Sequence, residues 1–154
     1  MAVWKKLIMP AQEIEHIDFQ RSFYVEGGNF DYAGIVSTSI KSILKQMELS
    51  AEVVRKSAIV SYESEINIVS YAKKGVIMLS IYADKIQIEA IDEGPGIPDI
   101  ELAMQKGYST ASPQIREMGF GAGMGLFNIN SYSDKFSITS EVDKGTHLIM
   151  IINK

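Results

Sequence analysis

The hydrophobic pattern of this 154-residue chain changes its period near Gly75, and that change constrains the fold more than any other feature. Before it, apolar residues recur at helical spacing. This predicts one helix over 31–48, with Asp31 as its N-cap, and a second from Ser50 to about Ala72, ended by the glycine. After it, apolar and polar residues alternate as they do in strands. Separate runs of helix and strand predict an α+β fold, a two-layer sandwich with helices on one face of a mixed, mostly antiparallel sheet.

The remaining predicted elements are short and are separated by turn residues. Strands are predicted at 22–25, 76–82, 86–91, 136–142 and 146–152. Short helices are predicted at 99–105 and 126–133, and the polar stretch 108–118 between them has no periodicity. We interpret residues 1–17 as a separate arm and residues 18–154 as one domain.

The net charge, the cysteine content and the N-terminal sequence argue against several kinds of partner and site. The chain carries a formal net charge of -4 and no cysteine. Because proteins that bind nucleic acids use Lys and Arg to neutralise phosphates, the negative charge argues against a nucleic-acid partner. The absence of cysteine rules out disulfides and thiolate metal sites. The N-terminus has no long apolar run, so we expect neither a signal peptide nor a membrane span, and we expect a cytoplasmic protein.

A carboxylate and an amide share one predicted helical face. Glu63 and Asn67 are four residues apart, so they project from the same side of the second helix. They lie beside an apolar stripe that includes Ile59, Tyr62 and Ile66. A carboxylate and an amide at the edge of a buried face suit a general base and a metal ligand. Taken alone, the pair also fits a solvated polar edge, which is common on helices.

Asp92 follows an alternating apolar strand. Apolar residues alternate from Ile86 to Ala90, and Asp92 has the same parity. Its carboxylate is therefore predicted to point toward the helical layer, where a donor such as a purine amino group would offset the cost of burial. Gly94 and Gly96 follow and allow a ligand to approach the backbone closely. The alternative is a turn in which the aspartate bonds its own backbone.

A glycine cluster opens the helix predicted at 126–133. Gly119, Gly121, Gly123 and Gly125 fall at every second position before it. Free backbone N–H groups at such a helix start can hold phosphate. The cluster is not a Walker A loop, because no Gly-Lys-Ser/Thr follows, and it is not a dinucleotide fingerprint, because no strand precedes it. The alternative is a flexible hinge.

In this order and spacing, the three signals resemble the ATPase domain shared by histidine kinases, gyrase, MutL and the heat-shock chaperones, often called GHKL. The resemblance covers about residues 22–152 and is nearest to the small anti-sigma factors and switch-protein serine kinases. It implies a Bergerat-type ATP-binding fold and an ATP-dependent protein serine/threonine kinase. The matching motifs are Glu63-x-x-x-Asn67, Asp92-x-Gly94-x-Gly96, the glycines from 121 to 125, Gly145-Thr146 and Gly107-Tyr108-Ser109-Thr110.

The resemblance also implies roles for the motif residues. Asn67 would hold Mg²⁺, Glu63 would be the general base for the acceptor hydroxyl, and Asp92 would bind the adenine amino group of ATP. Arg116, in an ATP lid at 106–118, would stabilise the γ-phosphate, or it would be a surface arginine. The other nucleotide contacts implied are Gly94, Gly96, Ser109, Thr110, Gly121, Gly123, Gly125 and Thr146.

The expected partners come from the same resemblance. The substrate would be a STAS-type antagonist of an anti-sigma factor, or a similar regulatory protein, in a bacterial signalling switch. A sigma factor or a phosphatase is a further possible partner, as is a second copy in a homodimer. The alternatives are an anti-sigma factor that sequesters a sigma factor and a nucleotide-gated binding protein without phosphotransfer. Since His16 lies in a short arm and His147 in the last predicted strand, we do not predict a self-sufficient histidine kinase.

Overall fold

The structure, a computed structural model, describes residues 14–121 and 123–154. Within these residues the chain forms one sheet with helices packed on it. The strands are β1 (Ile17–Glu26), β2 (Lys74–Tyr82), β3 (Lys85–Asp92), β4 (Lys135–Glu141) and β5 (Gly145–Asn153). The helices are α1 (Ile35–Gln46), α2 (Ala51–Tyr71), α3 (Ile100–Ala103), α4 (Pro113–Glu117) and α5 (Gly125–Tyr132). A short 3-10 helix at Phe30–Tyr32 precedes α1.

The strands follow the order β1-β2-β3-β5-β4, and each neighbouring pair is antiparallel. Helix α2 lies across β1, β2, β3 and β5, and both α1 and α5 pack against it. This arrangement confirms the predicted two-layer α+β sandwich, although the sheet is antiparallel throughout the described residues and not mixed as predicted. Of the helices in the described part of the chain, none is long and apolar enough to cross a membrane.

Strand alternation builds one wall of the core. Ile77, Leu79 and Ile81 of β2 are fully buried, and the residues paired with them on β3 share their face. Burying one such side chain stabilises the fold by about 1.5–3 kcal/mol relative to leaving it exposed. The other apolar side chains with no exposed area are Ile40, Leu44, Val60, Ile86, Ile88, Ile129, Met150 and Ile152.

The buried face of α2 differs from the predicted apolar stripe. Tyr62 is exposed, whereas Ser57, Ser61 and Ser64 are buried. The hydroxyls of Ser61 and Ser64 donate to the carbonyls of Ser57 and Val60, each at 2.7 Å. Because Ser61 and Ser64 satisfy their hydroxyl donors on their own helix, they can occupy the core, whereas the Ser57 hydroxyl has no hydrogen-bond partner among the described residues. A stripe drawn from apolar residues alone therefore misses them.

The start of α1 corrects the prediction that Asp31 caps the first helix. Asp31 lies in the 3-10 helix, and α1 begins after Gly34, whose φ is 99°. The buried Glu65 carboxylate of α2 accepts hydrogen bonds from Val36 N–H at 2.9 Å and Ser37 N–H at 3.2 Å. A carboxylate stabilises the free N–H groups at a helix start, and here it comes from another helix. The prediction was wrong because the local sequence does not show that contact.

Gly75 does not terminate α2, contrary to the prediction. The helix ends at Tyr71, and Gly75 lies inside β2 opposite Asp92. A Cβ atom at this glycine would lie 2.8 Å from Ile68 Cδ1 and 2.9 Å from the Ile91 carbonyl oxygen. Glycine therefore allows α2 to pack closely on the sheet at this point.

Other boundaries differ in smaller ways. Ser50 caps α2 as predicted, since its Oγ accepts from Val53 N–H at 3.2 Å. Strand β1 begins at Ile17, five residues earlier than the predicted strand at 22–25, and residues 1–13 of the predicted arm lie outside the described residues. The stretch 108–118 contains α4, a helix too short to show an apolar period.

Candidate functional site

A cavity of about 480 Å³ opens beside α2, between the ends of β3 and β5 and the chain from residue 95 to residue 126. Leu102, Met124 and Leu148 contribute apolar surface to its wall. Small-molecule and cofactor sites have volumes of roughly 300–1,000 Å³ and combine apolar walls with a few converging polar groups. The cavity has the size and lining of such a site.

Most of the predicted site residues line the cavity. Glu63 and Asn67 come from α2, Asp92 from the end of β3, and Thr146 from the start of β5. The other predicted residues that line it are Gly96, Ser109, Thr110, Gly121, Gly123 and Gly125. Two other predicted residues, Gly94 and Arg116, are not part of its wall. The fold thus brings together groups that lie far apart along the chain.

Asp92 is partly buried in the cavity wall. Its Oδ1 accepts a hydrogen bond from Thr146 N–H at 3.2 Å. Burial raises the pKa of Asp92 above its ordinary value, and the N–H groups of Thr146 and Gly94 partly oppose that rise. A partly desolvated carboxylate gains more from a ligand donor than a carboxylate in water does. Gly94 is one of the two residues outside the wall, but a Cβ atom there would lie 2.9 Å from Asp92 Oδ1.

A hydroxyl network holds the same side of the cavity. Ser140 Oγ and Thr146 Oγ1 lie 2.9 Å apart, and Ile97 N–H donates to Ser140 Oγ at 2.8 Å. Gly96, with a φ of 73°, lies so close to the Glu141 carbonyl that a Cβ atom would strike it. These contacts tie the loop after β3 to the β4–β5 hairpin, and they define the wall around Thr146.

Glu63 and Asn67 both face the start of α5. A Cβ atom at Gly125 would lie 3.3 Å from Glu63 Oε2 and 3.2 Å from Asn67 Oδ1. Asn128 of α5 donates from Nδ2 to Glu63 Oε1 at 3.1 Å. No sequence pattern indicates this partner, because Asn128 lies 65 positions from Glu63 and belongs to another element.

The glycine cluster packs against the first part of the predicted lid. Gly107 N–H donates to the Gly123 carbonyl at 2.8 Å, and a Cβ atom at Gly123 would strike the Gly107 backbone. Gly121, with a φ of 78°, lies against Ala111 in the same way. Within the described residues, no side chain caps α5 at its N-cap, Met124. Uncapped N–H groups beside a cavity are a suitable phosphate contact.

Arg116 is the second predicted residue outside the cavity wall. It lies in α4, and its Nη2 donates to the Ser109 carbonyl at 3.3 Å on the exposed side of the segment. Its guanidinium is therefore bound within the predicted lid in this structure. Just after the lid, Phe120 stacks on Phe30 with ring centroids 5.3 Å apart. That contact connects the glycine cluster to the 3-10 helix before α1.

The polar side chains near Gly125 suit a metal ion that binds together with phosphate. Over residues 14–121 and 123–154, no three His, Cys, Asp or Glu side chains cluster as a metal site would require. Asn67 Oδ1 and Glu63 Oε2 both lie near Gly125, at the edge of the cavity. Mg²⁺ typically takes one or two protein ligands and completes its shell with water and substrate phosphate. A nucleotide-bound Mg²⁺ therefore fits here, whereas a metal held by protein ligands alone does not.

Comparison with known proteins finds similarity to one family and to bacterial regulatory proteins. Residues 59–154 match the family described as "Histidine kinase-, DNA gyrase B-, and HSP90-like ATPase". The serine/threonine-protein kinase RsbT of Bacillus subtilis (strain 168) is 36% identical over 107 residues, covering 66% of this chain and 74% of that protein. The anti-sigma F factor of Thermoanaerobacter sp. (strain X514) is 34% identical over 115 residues, covering 75% of this chain and 73% of that protein. The matched range 59–154 contains all of the predicted site residues.

Proposed function

Because this chain belongs to the family of histidine kinase-, DNA gyrase B- and HSP90-like ATPases, we propose that it transfers the γ-phosphate of ATP to a serine or threonine hydroxyl of a regulatory protein. The predicted family is confirmed, and membership in it implies ATP binding. We propose the cavity as the place where ATP binds. The observation that carries the proposal is the position of Glu63 and Asn67, which both approach Gly125 in the cavity that Asp92 also lines.

The adenine and the phosphates of ATP would contact different groups of the cavity. Asp92 would accept a hydrogen bond from the adenine amino group, with Thr146 beside it and with Gly94 and Gly96 shaping the wall. The phosphates would lie at the uncapped start of α5. The residues proposed to contact them are Ser109, Thr110, Gly121, Gly123 and Gly125.

At the phosphate end, the Glu63 carboxylate and the Asn67 amide would have different roles. Asn67 would hold the Mg²⁺, which would neutralise charge on the phosphate oxygens when bound. Glu63 would take the proton of the acceptor hydroxyl while the hydroxyl oxygen bonds to the γ-phosphorus and ADP leaves. Arg116 lies outside the cavity wall, with its Nη2 on the Ser109 carbonyl, so it would reach the γ-phosphate through a movement of the lid.

The names of the relatives favour a protein substrate. One is named a serine/threonine-protein kinase, and the other an anti-sigma F factor. We propose a STAS-type antagonist as the acceptor, with a sigma factor or a phosphatase as a further partner and a homodimer as a possible assembly. The net charge of -4 gives no support to a nucleic-acid partner. We place this activity in the cytoplasm, where ATP is supplied.

A second candidate function is sequestration of a sigma factor. The specific observation in its favour is the 34% identity to a protein named anti-sigma F factor. This function needs a binding surface and not a general base. It therefore predicts that sigma binding survives changes at Glu63.

Two matched substitutions test the proposal. Glu63→Gln should keep ATP binding and should lower transfer of labelled γ-phosphate to a STAS-type antagonist by about 10²–10⁴-fold, the range for a positioned acid–base group. Asn67→Ala should instead lose Mg²⁺-dependent nucleotide binding, measured by titration calorimetry. Glu52→Gln, the same change at the exposed start of α2, is the control and should transfer normally.

The outcomes separate the candidate functions. Transfer at the wild-type rate by Glu63→Gln would reject the kinase mechanism. If the wild-type protein binds ATP and a sigma factor but transfers no phosphate, the sequestration function is the better account. Loss of ATP binding in both variants would show that Glu63 and Asn67 have the same role, contrary to the proposal.

A further inference from the structure

The carboxylate of Glu63 is held from one side by an amide of another helix. Asn128 Nδ2 of α5 donates to Glu63 Oε1 at 3.1 Å, and Glu63 lies on α2. An amide nitrogen can only donate, so this contact favours the carboxylate as a hydrogen-bond acceptor. The bond therefore fixes one of the two carboxylate oxygens.

The second oxygen faces the phosphate end of the cavity. Glu63 Oε2 is the oxygen near the start of α5, at 3.3 Å from the position that a Cβ atom of Gly125 would take. Because the two carboxylate oxygens are equivalent, the bond to Asn128 does not select one of them, but it restrains the plane of the carboxylate so that the other oxygen stays near Gly125. A general base works only when its oxygen lies within hydrogen-bond reach of the proton it removes. Holding Oε1 is thus a way of keeping Oε2 directed at the reacting groups.

The amide itself is carried by a well-anchored helix. The Asn128 N–H donates to the Met124 carbonyl at 2.8 Å, and the next residue, Ile129, is fully buried in the core. Asparagine is a poor residue for a helix interior, because its side chain competes with the backbone for hydrogen bonds. Here the side chain bonds across to α2. A locally unfavourable residue with a specific tertiary contact indicates a function for that contact.

We propose that Asn128 is a positioning residue for Glu63 in phosphotransfer. Asn128 acts through the carboxylate and does not touch ATP or the acceptor. The inference rests on the proposed kinase function, since it assigns a purpose to the orientation of its base. It also predicts that Asn128 matters for the rate of transfer and not for the affinity for ATP.

A double-mutant cycle tests the role. Asn128→Ala should lower the kcat of γ-phosphate transfer by about tenfold, in line with the loss of one hydrogen bond to a charged group, and should leave the KM for ATP within about twofold of the wild type. In the Glu63→Gln background the same substitution should have almost no further effect, because the group it positions is already disabled. Asn130→Ala, at an exposed position of α5, is the matched control and should behave as the wild type in both backgrounds.

A second measurement does not depend on activity. In an NMR spectrum of the nitrogen-labelled protein, the side-chain amide signal of Asn128 should shift when Glu63 is replaced by alanine, and that of Asn130 should not. This experiment keeps Asn128 intact, so it remains informative if Asn128→Ala folds poorly. An unmoved Asn128 signal would overturn the contact and the proposal with it.

The kinetic outcomes are distinguishable from a failure of the kinase assignment. A wild-type protein that transfers no phosphate would reject the kinase function and the role of Asn128 together. A wild-type protein that transfers phosphate, with equal losses from Asn128→Ala in both Glu63 backgrounds, would overturn only the positioning role and would show a general structural effect. An unchanged kcat in Asn128→Ala would overturn it as well.

Discussion

Replacing Gly125 with alanine should separate stability from activity. Gly125 is the first residue of α5, and its φ is not in the left-handed region, so alanine can adopt its backbone conformation. A compatible Gly→Ala change stabilises a protein by about 0.4–1 kcal/mol, because the unfolded chain loses conformational freedom. For a domain of this size the Tm should rise by roughly 1–4 °C.

The same methyl group should damage the reaction. It would lie 3.2 Å from Asn67 Oδ1 and 3.3 Å from Glu63 Oε2, so each side chain would have to move by a few tenths of an ångström. It would also occupy space at the edge of the cavity where the phosphates are proposed to bind. A displacement of about 1 Å at a reacting centre can cost about 10²-fold in rate, so we expect transfer to fall by roughly 10- to 100-fold.

Both quantities can be measured on the same preparation. Thermal unfolding gives the Tm, and transfer of labelled γ-phosphate to a STAS-type antagonist gives the rate. Asn130→Ala on the exposed side of α5 is the control for a change in helix composition. A raised Tm with a wild-type transfer rate would show that Gly125 does not border the reacting groups. A Tm lowered by several degrees would show that crowding outweighs the backbone effect, and the stability argument would then be wrong.

Two further perturbations address the adenine end and the lid. Asp92→Asn should weaken ATP binding by roughly 10- to 100-fold in calorimetry, since a hydrogen bond to a charged group contributes about 1.5–3 kcal/mol; unchanged affinity in a folded variant would remove Asp92 from the site. The same variant should have a higher Tm than the wild type at pH 7. Burial raises the pKa of Asp92 in the folded protein above its ordinary value of 3.8. The free energy of unfolding of the wild type therefore falls as pH rises through the raised pKa. The variant lacks this ionisation, so its higher Tm relative to the wild type should disappear as pH falls toward 3.8. Backbone amides at 106–118 should exchange more slowly with ATP bound, and protection confined to the β4–β5 hairpin would place the lid elsewhere.

The sequence by itself determined the two layers and the chemistry of much of the cavity. The change from helical to strand period predicted helices packed on a sheet. The spacing of Glu63 and Asn67 placed both on one side of α2, and strand parity placed Asp92 on the face that the cavity uses. These features could be predicted because spacing along a helix or strand dictates which side chains share a face, whatever packs against them.

Only the tertiary structure decided how these parts are held. Helix α1 starts where Glu65 of α2 meets its N–H groups, and Asp31 nearby in sequence has no part in that cap. Asn128 of α5 donates to Glu63 of α2. Arg116 donates to the Ser109 carbonyl in its own segment, outside the cavity wall. Such contacts join groups on separate elements or depend on the path of a loop, so no local period encodes them. The contacts of Glu65 and Glu63 exist because packing α2 against α1 and α5 brings polar groups of these helices within hydrogen-bond distance, where leaving a buried group unpaired would cost free energy.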